Sequence, residues 1–319
     1  MLIRPMEPRD YVRATAIRNS TEPEPVTVEV FAEWCTLDPQ RNIHYHHLVA
    51  EVESGLVVGT AIACHNEWLP EGHWYIKVVV DPAHAGLGVG SRLHDEVERL
   101  ARSAGATLVV SDSRGDERSR RWAERKGYLC TRERTESVMS LDEWDPTPFE
   151  GAIQRAEAES IRFTALSEVT GEEMLRRLYD FESQTIPDWP GFEPPFAPYE
   201  KWVKGFTGDE RDRTPKIFVF AQVGESIVGS CVVTLPRGEG AGARIGFTGV
   251  RREYRGRGLA LALKVIATEQ TRRAGVTHIR TNNDKDNPAI LALNAKLGYR
   301  LIPGPLRLKK QLDTQVVRD

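Results

Sequence analysis

The chain has little cysteine, no long apolar run and no large excess of charge, and each lack closes off a class of function. Four cysteines (Cys35, Cys64, Cys130 and Cys231) are scattered through 319 residues. None forms a CxxC pair or stands at ligand spacing from a histidine, so they read as reduced thiols, mostly buried, with neither a zinc site nor a disulfide framework. No run of about 18 apolar residues occurs, so no membrane-spanning helix is expected. A net charge of −3 and a pI near 6.3 supply no basic field for nucleic acid or an anionic membrane. The opening Met1-Leu2-Ile3-Arg4-Pro5 lacks the basic segment and apolar core of a secretory leader. The expectation is a cytoplasmic protein, monomer or homodimer, with no nucleic-acid or membrane partner. His44, His46 and His47 flank Tyr45 and lead into a strand, where neighbouring side chains face opposite ways. They read as surface and edge residues, and no metal is expected.

What is present is a repeat. Leu48 to Val52 and Val57 to Ala63 read as two strands around a turn at Ser54-Gly55. The pattern returns as Phe218 to Val223 and Ile227 to Val233, with Gly59 matched by Gly229. Next comes a short apolar strand, Ile76 to Val80 and then Ile245 to Val250. A glycine-rich loop and an amphipathic helix follow each strand. Both helices end at Ala-Gly (Ala104-Gly105, Ala274-Gly275) with arginines nearby, which suits a helix C-terminus. Later come a strand, a helix ending in Gly-Tyr, and a final strand, Ser137 to Leu141 in one copy and Leu306 to Leu312 in the other. So many elements in one order imply a tandem duplication. The expected division is 1–145, a Pro-rich and then polar linker at 146–160, and 161–319.

A strand, a glycine turn and a helix together make an anion site. The first helical turn leaves N–H groups unpaired, the helix dipole adds positive charge, and glycine lets the backbone come close to a phosphate. The second loop, Arg255 to Ala260, adds Arg251, Arg252, Arg255 and Arg257. Guanidinium groups suit a pyrophosphate and a further ribose phosphate. The first loop, Ala85 to Gly90, has no arginine.

The segment Val250 to Ala260 resembles the coenzyme-A loop of the GNAT superfamily of N-acyltransferases, whose core is [Q/R]-x-x-G-x-[G/A]; Arg255, Gly258 and Ala260 fit it. Asn287 to Tyr299 is similar to that family's second motif, a helix ending in a Gly-aromatic turn. The first copy keeps the glycines but has Ala85 where the family has Gln or Arg. The resemblance implies an α/β (α+β) protein of the family's tandem two-domain type. Each domain would be a mixed, mostly antiparallel sheet flanked by helices, the second catalytic and the first degenerate. It implies acetyl-CoA as co-substrate, with no metal, and an amine that attacks the thioester directly.

Coenzyme contacts are then expected from Thr248, Gly249, Val250, Arg255, Gly256, Arg257, Gly258, Leu259, Ala260 and Asn287. In the first copy they would come from Val80, Gly86, Gly88 and Gly90. An oxyanion would need an N–H donor near Thr248-Gly249-Val250, and Gly249 in mid-strand suggests a bulge or a close approach. Two family features are missing. The position of the family's acid tyrosine holds Asn294 (Ala123 in the first copy), and the strand Arg244 to Thr248 has no carboxylate. The remaining catalytic candidates are Asn283, to orient a water, Asp284, to accept a proton, and Tyr254, to reach the thiol. Each also has a plain structural reading, as a loop cap or a packing residue.

The stretch Ile186 to Tyr199 is rich in proline and aromatics. In the family this region covers the acceptor, expected to be a small-molecule amine held by Asp188 or Glu193 and walled by Trp189. Two other readings are open. One is a coenzyme-A-binding regulator or scaffold that does no chemistry. The other, a dinucleotide oxidoreductase built on Gly86, Gly88 and Gly90, fails because its loop follows several strands rather than the first.

Overall fold

A computed structural model of the protein describes residues 1–22, 24–189, 192, 194–207, 214–237 and 242–312. In chain order it forms β1 (Leu2–Pro5), α1 (Tyr11–Asn19), α2 (Val28–Arg41), β2 (His44–Glu51), β3 (Val57–His65), β4 (His73–Val80), α3 (Val89–Ser103), β5 (Leu108–Ser113), α4 (Glu117–Arg125) and β6 (Leu129–Ser140). The pattern then repeats, after α5 (Glu150–Ala158), as β7 (Arg162–Leu166), α6 (Glu172–Thr185), α7 (Tyr199–Thr207), β8 (Lys216–Val223), β9 (Ser226–Thr234), β10 (Ala243–Val250), α8 (Leu259–Arg273), β11 (His278–Asp284), α9 (Pro288–Lys296) and β12 (Arg300–Gln311). The α/β class and the repeated order are those expected from the sequence.

The chain forms two compact units. Unit 1 holds Met1–Arg134 and the chain from Pro303 to the last described residue, Leu312. Unit 2 holds Thr135–Arg237 and Gly242–Ile302. Unit 1 therefore takes its last strand from the end of the chain: β12 lies antiparallel to β5, from Leu306 opposite Ser113 to Gln311 opposite Leu108. Its strands run in the order β1-β2-β3-β4-β5-β12. Unit 2 runs β6-β11-β10-β9-β8-β7 and takes the end of β6, where the Leu141 N–H bonds the Thr277 carbonyl at 2.8 Å. The segment read as a linker is helical, and Ala152 and Ala156 of α5 are buried in the core of unit 2.

Each unit has a parallel strand pair beside antiparallel ones, and that pair is short. In unit 2, β10 meets β11 only from Ala243/Ile279 to Ile245/Thr281. In unit 1, β4 meets β5 only from His73/Leu108 to Tyr75/Val110. Beyond these three pairs the strands part, opening the sheet on the side where the glycine loop begins. The loop helix of each unit, α3 or α8, packs on the sheet through a leucine set against a strand glycine. A Cβ on Gly59 would meet Leu93 Cδ1 at 2.9 Å, and one on Gly229 would meet Leu263 Cδ1 at 2.9 Å. That shared contact is why both copies carry glycine there.

Strand β1 covers the outer side of β2 only from Leu2/Glu51 to Pro5/Leu48, so His44 and His46 lie on the part of β2 that β1 does not reach, and His44 is exposed. His44, His46 and His65 gather at Trp74, with ring centroids 5.3, 6.2 and 6.2 Å from its own. Burial pushes the His47 pKa down to about 4, so this ring is neutral near pH 7. Among the described residues no group of His, Cys, Asp or Glu is arranged to hold a metal ion. No described helix is long and apolar enough to cross a membrane.

Candidate active site

The two glycine loops share one backbone. After β10, the Arg251 N–H bonds the Val228 carbonyl at 2.9 Å; after β4, the Asp81 N–H bonds the Val58 carbonyl at 3.0 Å. A short 3-10 turn follows in each, Arg252–Tyr254 or Pro82–His84. Gly256 and Gly258 then adopt φ of +76° and +82°, and Gly86 and Gly88 adopt +92° and +81°. These left-handed conformations favour glycine, and they turn the chain into the helix without presenting a Cβ. Gly258 and Gly88 are the N-caps of α8 and α3 and make no side-chain cap bond. The first-turn amides are left for a ligand or water.

The side chains differ. Arg252 and Arg255 both bond the carboxylate of Asp188, Arg255 Nη2 at 2.5 Å from Oδ2. Their hydrogen bonds hold the Asp188 carboxyl well below the usual carboxylate range. Arg255 Nε also donates to the Val250 carbonyl at 3.0 Å, which orients its plane. Arg251 is fixed elsewhere, by Asp180 (2.5 Å), Gln184 (2.5 Å) and the Ile227 carbonyl (2.7 Å). Arg257 reaches Glu159 at 3.2 Å and lies 5.3 Å from the Tyr254 ring centroid. Tyr254 is itself packed on the unit 2 core. Thus two of the four loop arginines already converge on an anion, supplied by the protein's own carboxylate. In the first loop Ala85 stands where Arg255 does, and Asp81 pairs with Arg13. Gly90 sits inside the first turn of α3, and a Cβ there would meet Val80 Cγ2 at 3.3 Å.

The bulge falls at Gly246. Ile245 faces Val233 and Phe247 faces Val232, so Gly246 is an extra residue on β10, at the point where β11 departs. Gly249 keeps regular pairing, and its missing side chain makes room for the Phe247 ring. Strand β4 pairs with β3 without such a shift, so the bulge belongs to the second copy alone. Thr248 Oγ1 donates to Cys231 Sγ at 3.4 Å, and Val250 is buried beside the loop. Trp189 lies over Phe247, with ring centroids 5.5 Å apart, at the mouth of the opening. Glu193 lies outside the described residues.

The other lip of the opening is the end of β11. Asn283 and Asn294 are joined, Asn294 Nδ2 donating to Asn283 Oδ1 at 2.7 Å. Asp284 turns back to cap its own loop, accepting from the Asp286 N–H at 3.1 Å. Asn287 is the N-cap of α9 and accepts from the Ile290 N–H at 3.3 Å. Leu259 is buried and Ala260 half-buried in the first turn of α8, packed on the unit 2 core.

Two groups escaped the sequence reading. Lys264, 1% exposed on α8, donates from Nζ to Asn294 Oδ1 at 2.9 Å. It has no carboxylate partner among the described residues, and burial pushes its pKa down to about 8. A lysine within the apolar run Leu259 to Ala267 was the available signal, and the matching position in α3 is His94, also buried. The second group is Glu136 of β6, buried 3.4 Å from Arg244 and 3.7 Å from Arg280. It supplies a carboxylate beside a strand whose own sequence has none.

A family model described as Acetyltransferase (GNAT) family matches residues 11–128 and again 175–299. Among solved structures, a tandem GNAT protein from the clavulanic acid biosynthesis pathway is 18% identical, with a TM-score of 0.76 over 97% of this chain and 98% of that one. A GCN5-related N-acetyltransferase from Sphaerobacter thermophilus is 22% identical, with a TM-score of 0.69 over 97% and 95%. At such identities the likeness concerns the fold. No curated protein matches the sequence.

Proposed function

With the family model matched twice over most of its length, the chain belongs to the GNAT acetyltransferase family, and we propose that its second copy transfers an acetyl group from acetyl-CoA to a primary amine of a small molecule, by direct attack in a ternary complex. The observation that carries this reading is that unit 2, to the parted parallel pair that both units share, adds an arginine-bearing glycine loop and a bulged β10. Acetyl-CoA, when bound, supplies the activated thioester. The loop fits its anionic end, because Arg252 and Arg255 already hold a carboxylate and the left-handed glycines clear the approach to the helix amides.

Arg252 and Arg255 exchange Asp188 for a phosphate oxygen, with the helix amides alongside. Thr248, Gly249, Val250, Gly256, Arg257 and Asn287 are the further contacts we assign to the coenzyme between loop and sheet. The bulge at Gly246 turns backbone away from the β9 ladder, leaving N–H capacity for an oxyanion at the opening. Trp189 on Phe247 forms an aromatic wall suited to an alkylammonium approaching from solvent. A free amine with a pKa near 10 is only about 0.1% neutral at pH 7, so its proton must be taken up, and we assign that uptake to solvent water entering the opening. Val80, Gly86, Gly88 and Gly90 form the degenerate counterpart, without the guanidinium groups. We place the protein in the cytoplasm, where acetyl-CoA is made available.

The test is thiol release from acetyl-CoA against a panel of primary amines. Amine-dependent release supports the enzyme. Coenzyme A binding by calorimetry, with no release across the panel, would favour a regulatory binder.

A further inference from the structure

Four polar groups in unit 2 form a chain whose hydrogen-bond directions follow from chemistry alone. Lys264 Nζ can only donate while charged, and it lies 2.9 Å from Asn294 Oδ1. Asn294 is 1% exposed and must therefore present its oxygen to the lysine. Its Nδ2 is left to donate, to Ser137 Oγ at 3.4 Å and to Asn283 Oδ1 at 2.7 Å. That uses every hydrogen-bonding group of the buried amide. The reversed orientation would face an NH2 group with an ammonium and leave the lysine buried with no acceptor, which is costly. The direction is then passed on: Asn283 must turn its oxygen to Asn294, so its own Nδ2 faces away from the chain. Asn283 is half-buried. It lies two residues beyond Thr281, the last residue of β11 paired with β10, and on the same strand face as Thr281.

We propose that the buried Lys264–Asn294 pair fixes Asn283 as an obligate hydrogen-bond donor at the β10–β11 opening, and that this donor stabilises the thiolate leaving the thioester. This rests on the acyl-transfer reading of unit 2. The bond made is between the amine nitrogen and the acyl carbon. The bond broken is between that carbon and sulfur, whose electron pair stays on the sulfur, and the amine's proton passes to solvent. A carboxamide does not give up its proton at neutral pH, so the sulfur leaves as a hydrogen-bonded anion and is protonated later by water. Asn283 is the contact residue; Asn294 and Lys264 are positioning residues.

Asn283→Asp is close to isosteric. It keeps the oxygen that accepts from Asn294 and replaces the donor with an acceptor. Asn294→Asp keeps the acceptor for Lys264, now as an ion pair, but can no longer donate, so Asn283 must turn its NH2 inward. Both variants should keep a cooperative melt and still bind coenzyme A. Both should lower kcat for thiol release on the order of a hundredfold. The second readout is independent of turnover: the thiol pKa of bound coenzyme A, followed by ultraviolet absorbance of the thiolate. In wild type it should lie below that of free coenzyme A, and in both variants it should rise by about a unit or more, because the bond to the charged form is lost. An unchanged thiol pKa and unchanged kcat in folded Asn283→Asp would overturn the proposal. A wild type that neither binds coenzyme A nor releases thiol would instead overturn the functional reading beneath it.

Discussion

At the scale of single residues, the unit 2 site is organised by charges that satisfy one another. Asp188 holds Arg252 and Arg255 in place, yet it competes with any phosphate for them. Asp188→Asn should therefore tighten coenzyme A binding in calorimetry and make it more salt-sensitive, since more of the guanidinium charge is left for phosphate. Weaker binding would mean that Asp188 only positions the arginines. Lys264 offers a second test. Its pKa is pushed from 10.5 down to about 8 by burial, so its charged form destabilises the fold. As pH rises from about 8 towards 10.5 the folded protein sheds that proton before the unfolded chain does, and stability rises with pH in that window. The gain should be on the order of 3 kcal/mol. Denaturant melts of wild type and Lys264→Met between pH 7 and pH 10 should differ by this rise, present in wild type and absent from the variant. The sequence made the arginines and glycines legible because their spacing is local. Lys264, Asn294 and Asn283 were not legible as a unit, because α8, α9 and β11 each supply one member and only packing brings them together.

At the scale of elements, both copies set a helix leucine against a strand glycine. Gly59→Ala should cost roughly 1–3 kcal/mol through overpacking, because its Cβ would also come within 3.1 Å of the Val79 carbonyl and Val89 Cγ1. Gly229→Ala should cost less, since after Leu263 Cδ1 its next neighbours are at 3.5 Å. Denaturant midpoints check the order. The apolar strands β3 and β9 were readable from their residues. Of the twelve-residue strands β6 and β12, the sequence alone marks only the stretches from Ser137 and from Leu306. Thr131 to Glu136 is a polar run with no apolar alternation, and Pro303-Gly304-Pro305 looks like a break. Their strand character comes from the partners they pair with, as β12 does with β5.

At the scale of the whole molecule, the repeat along the chain and the compact units do not coincide, because unit 1 is completed by β12 and unit 2 by the end of β6. A fragment of residues 1–145 would lack β12 and expose β5 as an edge, an invitation to aggregate. It should fail to give a monomer with a cooperative melt in light scattering and circular dichroism; a stable monomer would contradict this assembly of unit 1. No periodicity could have shown it, since a strand's partner is not written in its own sequence.

In the proposed ternary complex coenzyme A is held by the loop from Arg255 to Ala260 and not by its counterpart from Ala85 to Gly90. Calorimetric titration of coenzyme A into wild type and into Arg255→Ala/Gly258→Glu tests it most directly. The substitutions remove a guanidinium and place a carboxylate at a left-handed position facing the phosphate. A single site per chain is expected in wild type, with binding lost in the double variant. Unchanged affinity and stoichiometry in a folded double variant would contradict it.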